Sequence, residues 1–284
     1  MIPAAFEYAR AKTLAEALKA VGTRHTKVMC GGQSLIPLMR FRLTQPKRVV
    51  DISHLEQLRG IAKTKNVIRI GAATTYRELL DSKVVRADCA LLTEVTAKIG
   101  DRQVRNVGTV GGGLAHADPS ADLPGAMLVL GASFVLRSAK GKRTVAASDY
   151  FRGPFETAMK PSELLTDILV PVPARGAGLA YVSFEQLASG YPLVGAAAMV
   201  TRAKGKIVSA TLAFTGLADA PFLAEDAEAL VGTDGGASAV GKVAADVVRG
   251  VEANEDMHAS AEYRLHLGMV AARRALLSAI ARAK

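Results

Sequence analysis

Two stretches decide how this chain reads: Cys30-Gly31-Gly32-Gln33-Ser34-Leu35, and Thr109-Val110-Gly111-Gly112-Gly113-Leu114-Ala115-His116-Ala117-Asp118-Pro119-Ser120-Ala121-Asp122-Leu123-Pro124. In the first, a short apolar strand over residues 27–30 delivers the chain into two glycines. Glycine admits positive φ and lets another group approach the backbone closely. Successive N–H groups can then cup an anion, and the Ser34 hydroxyl adds a donor. A tight strand-to-helix turn is the plainer reading of the same residues. In the second stretch, three glycines after a threonine offer another anion cradle. Ser120 is placed to cap the next helix, and Asp122 falls in its first turn. An acid there suits the helix dipole, or accepts a hydrogen bond from a ribose or an amide. Neither stretch has the GxGxxG or GxxxxGK[ST] spacing. Two glycine loops about 80 residues apart, each leaving a different α/β segment, suggest one diphosphate pinched between two lobes. That geometry suits a dinucleotide.

Working outward, Thr13 with Glu16 opens a helix over 13–21, and Thr75 with Glu78 opens another through Leu80. Strands are predicted at 49–52, 67–70 and 164–170, with a hairpin over 132–145. Helices are predicted at 90–99 and 121–131, and residues 106–117 read as a long Gly-rich loop. Beyond a linker at 171–178 lie strands at 179–187, 194–202 and 207–217, then helices at 222–231, 238–248 and 260–282. The fold class is therefore α+β: a two-lobed binding unit over 1–55 and 56–175, then an antiparallel sheet with helices over 178–284.

The whole chain has 284 residues, half of them hydrophobic and 22% charged, which gives ample apolar surface for a packed core. Two cysteines, Cys30 and Cys89, exclude a disulfide scaffold and an iron–sulfur cluster or four-cysteine zinc site held by this chain alone. Their scarcity fits a reducing cytoplasm. The opening residues lack the apolar core of a signal peptide. The longest uncharged run, Gln186–Thr201, is 16 residues, short of a transmembrane helix. The net charge of +10 is uneven, with residues 1–60 at +6 and residues 178–284 at −1. Basic residues come singly or in small groups and aromatic residues make up 5%, so nucleic acid is a poor partner. An anionic cofactor or acidic neighbouring subunits suit the basic lobes better.

The first loop, extended through Ile36-Pro37-Leu38-Met39-Arg40-Phe41-Arg42-Leu43, resembles the pattern AGGxSLxPxMKxRL. Val104-Arg105-Asn106-Val107-Gly108-Thr109-Val110-Gly111-Gly112-Gly113 resembles IRNxGTIGGN, and His116–Pro124 continues it. Ile2-Pro3 and Phe6-Glu7-Tyr8 match as well. These are motifs of the medium, FAD-binding subunit of molybdenum hydroxylases, of the carbon monoxide dehydrogenase type within the xanthine dehydrogenase family. The resemblance covers essentially the whole chain. It implies a vanillyl-alcohol-oxidase-like (PCMH-type) FAD-binding fold in two lobes, followed by the C-terminal α+β lobe.

The resemblance further implies that backbone groups of Gly31, Gly32, Gln33 and Ser34 hold the FAD pyrophosphate, with Cys30 and Leu35 beside them at the cofactor. Thr109, Val110, Gly111, Gly112 and Gly113 would line the other side. Asp122 would bind the ribose or its surroundings, with Leu165 and Tyr191 also at the cofactor. It implies a large molybdopterin subunit and a small subunit with two [2Fe–2S] clusters, two copies of each chain forming a heterohexamer. Electrons would pass from molybdenum through the clusters to this flavin and on to an external acceptor. No catalytic residue and no metal ligand is expected in this chain.

The chain departs from the pattern in three places. Gly113 stands where the family has Asn, removing a side-chain hydrogen bond worth roughly 0.5–1.5 kcal/mol. Cys30 replaces Ala. The family's basic residue before GDY is missing from Glu185-Gln186-Leu187-Ala188-Ser189-Gly190-Tyr191, where Gly190 takes the Asp position. Other residues admit two readings. His116 is either structural or a proton carrier. Tyr191 packs at the flavin ring or simply in the core. Arg264, Arg273, Arg274 and Arg282 form a solvated helix face or a docking face. The alternatives for the whole protein are a free-standing FAD-dependent oxidoreductase and a non-catalytic basic interaction protein.

Overall fold

The computed structural model describes residues 2–284; Met1, where the first expected lobe begins, lies outside them. The N-terminal segment runs through strand β1 (Glu7–Arg10), helix α1 (Leu14–Ala20), strand β2 (Thr26–Met29), helix α2 (Leu35–Arg40) and strand β3 (Arg48–Asp51). β3 lies between the other two strands and parallel to both. α1 begins at its capping signal: the Thr13 hydroxyl accepts the Glu16 N–H at 3.2 Å, and the Glu16 carboxylate accepts the Lys12 N–H at 2.7 Å. Leu14 and Ala17 pack with Val50 and Ile52 in a small core. The apolar pattern leaves β1 unassigned because its residues are mostly exposed; pairing with β3, not burial, makes it a strand.

A 3₁₀ turn (Glu56–Leu58) leads to strands β4 (Ile61–Thr64) and β5 (Val67–Gly71). Helices α3 (Tyr76–Asp81), α4 (Lys83–Asp88), α5 (Ala90–Lys98), α6 (Arg102–Val107), α7 (Val110–His116) and α8 (Asp122–Val129) follow. Two hairpins come next, β6 (Ser133–Ser138) with β7 (Gly141–Ala146) and β8 (Phe151–Gly153) with β9 (Glu156–Thr157), and then strand β10 (Leu164–Pro171). The sheet order is β4-β5-β10-β6-β7, so the last of these strands in sequence is central. Ile68, Ile70, Phe134, Leu136, Ile168 and Val170 point from it into the largest core.

The expectation of a loop over 106–117 is corrected: the segment is the end of α6, then Gly108, the cap Thr109, and α7. Each glycine costs a helix about 1 kcal/mol relative to alanine. Burial of Val110 and Leu114 and the Thr109 cap offset that cost here.

The C-terminal sheet has the order β11 (Gly178–Glu185), β12 (Pro192–Ala203), β13 (Lys206–Thr215) and β14 (Phe222–Leu223), with helices α9 (Ala237–Asp246) and α10 (Ala261–Arg282). Residues 222–231, expected as a helix, are β14 and a 3₁₀ turn (Glu225–Leu230). Phe222 pairs with Phe214 across the sheet, their rings 5.4 Å apart, and this holds the segment extended. The run Gly195-Ala196-Ala197-Ala198 is buried on both faces of β12. Ala196 and Ala198 meet the core under α10, whereas Ala197 joins the largest core, built on the sheet around β10. A strand covered on both sides reads as a continuous apolar run, and small residues let two layers close on it.

The basic residues of α10 do not form one solvated face. Arg264 is 2% exposed; its guanidinium donates to the carbonyls of Leu193 and Gly216 and pairs with Asp256 at 2.7 Å. Arg282 reaches Glu94 of α5 at 2.8 Å, and Arg274 lies over the Phe184 ring at 5.4 Å. Among the described residues no helix is long and apolar enough to cross a membrane.

Candidate functional site

The first glycine loop is the turn from β2 to α2. Gly32 has φ +69°, in the left-handed region. Ser34 is the residue before α2, but its side chain makes no capping bond, so its hydroxyl is free to donate. The N–H groups of Gly31, Gly32, Gln33 and Ser34 donate to no group among the described residues. Four consecutive unpaired N–H groups at a turn with a left-handed residue form a concave donor set for an anion. The Gln33 side chain lies back on the turn, donating to the Gly31 carbonyl at 3.5 Å. Leu35 begins α2 and is half-buried.

The second segment lies directly against this turn. A Cβ on Gly31 would strike the Val107 carbonyl and lie 2.8 Å from the Gly108 Cα and 3.1 Å from the Thr109 nitrogen. The Cys30 thiol contacts the Thr109 hydroxyl, and burial pushes the thiol up to about 11 even though that hydroxyl favours the thiolate. The second segment is in turn laced to the exit of β5. Gly111 N–H donates to the Ala72 carbonyl (2.9 Å), Val110 N–H to Thr74 (2.9 Å), and Tyr76 N–H to Gly108 (3.0 Å). Thr75 and Thr109 form an isolated antiparallel bridge.

This arrangement corrects one expectation. The glycines of α7 do not offer a second set of free N–H groups, because they are consumed at home. Gly112 N–H donates to the Thr109 hydroxyl (3.2 Å) and Gly113 N–H to the Thr109 carbonyl (3.0 Å). Their contribution is close approach instead. Gly112 is exposed and Gly113 half-buried, so bare backbone faces outward at the start of α7.

Asp122 stands in the first turn of α8, as its position predicts, and is 5% exposed. Burial pushes its carboxyl up to about 7, against the opposing hydrogen bond from Tyr181 and with the Glu185 charge adding to the rise. Tyr181, on β11 of the C-terminal sheet, donates to Asp122 Oδ1 at 2.7 Å. Ser120 does not cap α8. Its N–H donates to the Asp118 carboxylate at 2.9 Å, and Ala121 takes the cap position.

Tyr191 is 46% exposed, which removes the core reading. It ends a tight turn in which the Gln186 N–H donates to its carbonyl at 2.8 Å. Burial raises its phenol, with the charges of Asp118 and Asp122 adding to the effect, so it lies within electrostatic reach of the turn between α7 and α8. Leu165 is 5% exposed within β10 and part of the main core. His116 packs against Phe155 at 5.0 Å between ring centres, and burial holds its imidazole below the usual range. The segment lacking its own basic residue receives one from α5: Lys98 pairs with Glu185 at 2.9 Å.

Residue-pattern reading points to both loops, Asp122 and Tyr191, and does not single out Tyr76 or Tyr181, which the structure places beside them. Tyr76 was readable only as the first residue after a capping box and Tyr181 only as one residue of a strand. Neither signal says where the ring goes.

The family model for the FAD binding domain in molybdopterin dehydrogenase matches residues 4–173, and that for the CO dehydrogenase flavoprotein C-terminal domain matches residues 180–279. The carbon monoxide dehydrogenase medium chain of Afipia carboxidovorans is 38% identical over 287 residues, covering 100% of both chains. Among solved structures, carbon monoxide dehydrogenase from Hydrogenophaga pseudoflava superposes with a TM-score of 0.97 at 35% identity, covering 100% of both chains. Quinoline 2-oxidoreductase from Pseudomonas putida 86 superposes with 0.95 at 30% identity, covering 99% of both. The motifs, the fold and these likenesses agree: the chain belongs to the FAD-binding medium subunits of the molybdenum hydroxylases, of the carbon monoxide dehydrogenase type.

Proposed function

We propose that the turn Gly31–Ser34 binds the diphosphate of FAD, with Thr109–Gly113, Asp122 and Tyr191 shaping the flavin side of the same site. The observation that carries this reading is the run of four N–H groups without partners among the described residues, set against the bare backbone of α7. The residues fit the group: unpaired donors suit a diphosphate, and the exposed Gly112 and Tyr191 offer a flat, partly apolar surface for a ring system. When bound, the flavin supplies electron acceptance and release, and the protein supplies position and electrostatics. The buried Asp122–Tyr181 pair holds the C-terminal sheet against the base of that site.

In this reading the chain is the electron-transfer subunit of a larger hydroxylase. The clusters of a small subunit deliver electrons from a molybdopterin subunit, and this chain passes them to an external acceptor. Two copies of each subunit, located in the cytoplasm, complete the proposal. The two unpaired cysteines and the matched relatives support it. In this reading the substrate is bound by a partner subunit.

The test is Gly32→Asp. A Cβ here meets the flexible ends of Ile36, at 2.8 Å, and Met29, at 3.2 Å, and the left-handed φ of +69° adds strain that Asp tolerates better than most residues; an unchanged apo melting temperature separates the charge effect from that strain. The carboxylate would face the diphosphate, and like charges at such range cost enough to weaken FAD binding more than about tenfold. Flavin occupancy is read from the visible spectrum of the gently purified protein, with its co-purifying chains on a gel. Full flavin retention in Gly32→Asp would overturn the assignment of the first loop.

A further inference from the structure

The glycines of the second motif make room for a particular side chain. Tyr76, the first residue of α3, wedges its ring between Gly108 and Gly113. A Cβ on Gly108 would lie 3.0 and 3.2 Å from the ring carbons of Tyr76, and a Cβ on Gly113 would collide with the Tyr76 hydroxyl itself. The volume that any residue-113 side chain would enter first is therefore filled by the phenol oxygen. The ring cannot easily leave. Its backbone N–H is tied to the Gly108 carbonyl, and the residue before it is locked in a full capping box with Glu78. Glu78 is held in turn by Arg59 at 2.5 Å.

Tyr76 is 8% exposed, yet its hydroxyl makes no hydrogen bond among the described residues. The oxygen is not a buried orphan: it keeps an opening to solvent, through which a ligand at the site can reach it. The carboxylate within electrostatic reach, Asp122, already accepts from Tyr181. The hydroxyl also sits beside Gly113, at the bare backbone face of α7, with Tyr191 within electrostatic reach. Burial, with the neighbouring Tyr191 and Asp122 adding to it, raises the Tyr76 phenol far above neutrality, so it is present as a donor.

We infer that the Tyr76 hydroxyl donates a hydrogen bond to an acceptor atom of the bound flavin, a ring nitrogen or carbonyl oxygen, and so takes over the polar contact that a longer residue at position 113 would make. This rests on the site proposed above. It gives Gly113 a steric reason: the glycine is the space that admits the phenol. Tyr76 is a residue that touches the cofactor and positions it.

The experiment compares wild type, Tyr76→Phe and Gly32→Asp in the full-length protein, with FAD as the probe. Tyr76→Phe keeps the ring and its packing, so the apo melting temperature is expected to stay at the wild-type value. Loss of one hydrogen bond is expected to weaken FAD binding about 3- to 10-fold. The flavin band near 450 nm is expected to shift, and the midpoint potential to fall because a donor stabilises the more electron-rich reduced ring. Wild-type affinity, spectrum and potential in Tyr76→Phe, alongside flavin loss in Gly32→Asp, would overturn this inference and leave the site standing. Wild-type behaviour in both variants would overturn both.

Discussion

Single residues in this protein are chosen as much for what they leave out as for what they add. Gly31 is bare because the backbone of 107–109 lies against it, Gly113 because of the Tyr76 hydroxyl, and Gly195 because of the Tyr181 hydroxyl. Two of these three gaps are filled by a phenol oxygen delivered from another element. Cys30 belongs to the same crowded place. Its thiol sits at the contact of the two glycine segments and titrates near 11, burial being the main cause. Thiolate is the nucleophile, so such a group is inert at neutral pH. Iodoacetamide at pH 7.5 is expected to leave Cys30 of the folded apo chain unmodified by mass spectrometry. Stoichiometric alkylation there would show that the segments part readily.

Elements are positioned by their first turns. α3 starts at a reciprocal cap between Thr75 and Glu78, and α7 starts at Thr109, whose hydroxyl accepts the Gly112 N–H at 3.2 Å. Those two caps face each other in the Thr75–Thr109 bridge, so the helix starts are fixed as a pair. Thr109→Val keeps the shape and removes the acceptor, stranding the Gly112 N–H. It is expected to cost about 1 kcal/mol of stability, as cap deletions do, with a lower denaturant midpoint and unchanged slope. It is also expected to weaken FAD binding, since α7 carries the bare face of the site. An unchanged midpoint would mean the glycine helix is held by packing of Val110 and Leu114 alone.

Across the whole molecule, the C-terminal lobe meets the proposed site through Tyr181 on β11, which donates to Asp122; within that lobe Arg264 on α10 holds the Leu193 carbonyl just beyond Tyr191. Asp122 also makes stability depend on pH in a defined direction. Its folded-state pKa, about 7, lies above its ordinary 3.8, so the folded chain binds the extra proton between those values. That contribution is complete at low pH and is lost as pH rises through this window. Asp122→Asn keeps an acceptor for Tyr181 without the charge. The variant is expected to gain stability relative to wild type as pH rises from about 4 to about 7, with no further change above. A stability gap between the two apo chains that is flat across that range would remove Asp122 as the source.

The local order of this protein was readable from its residues because the responsible forces act over a few positions. Capping pairs at Thr13 and Thr75 marked α1 and α3, apolar runs marked β10 through β13, and paired motifs marked both glycine segments. The same local evidence failed where distant contacts decide. β1 is a strand through its partner and not through its pattern, and 106–117 is helical because Thr74 and Ala72 accept its N–H groups from another element. Arg264 sits on a helix like any surface arginine, yet two carbonyls more than 45 positions away bury it. Tyr76 and Tyr181 show the same limit at the site. A tyrosine's identity is local information, but the glycine it fills is set only when separate segments pack together.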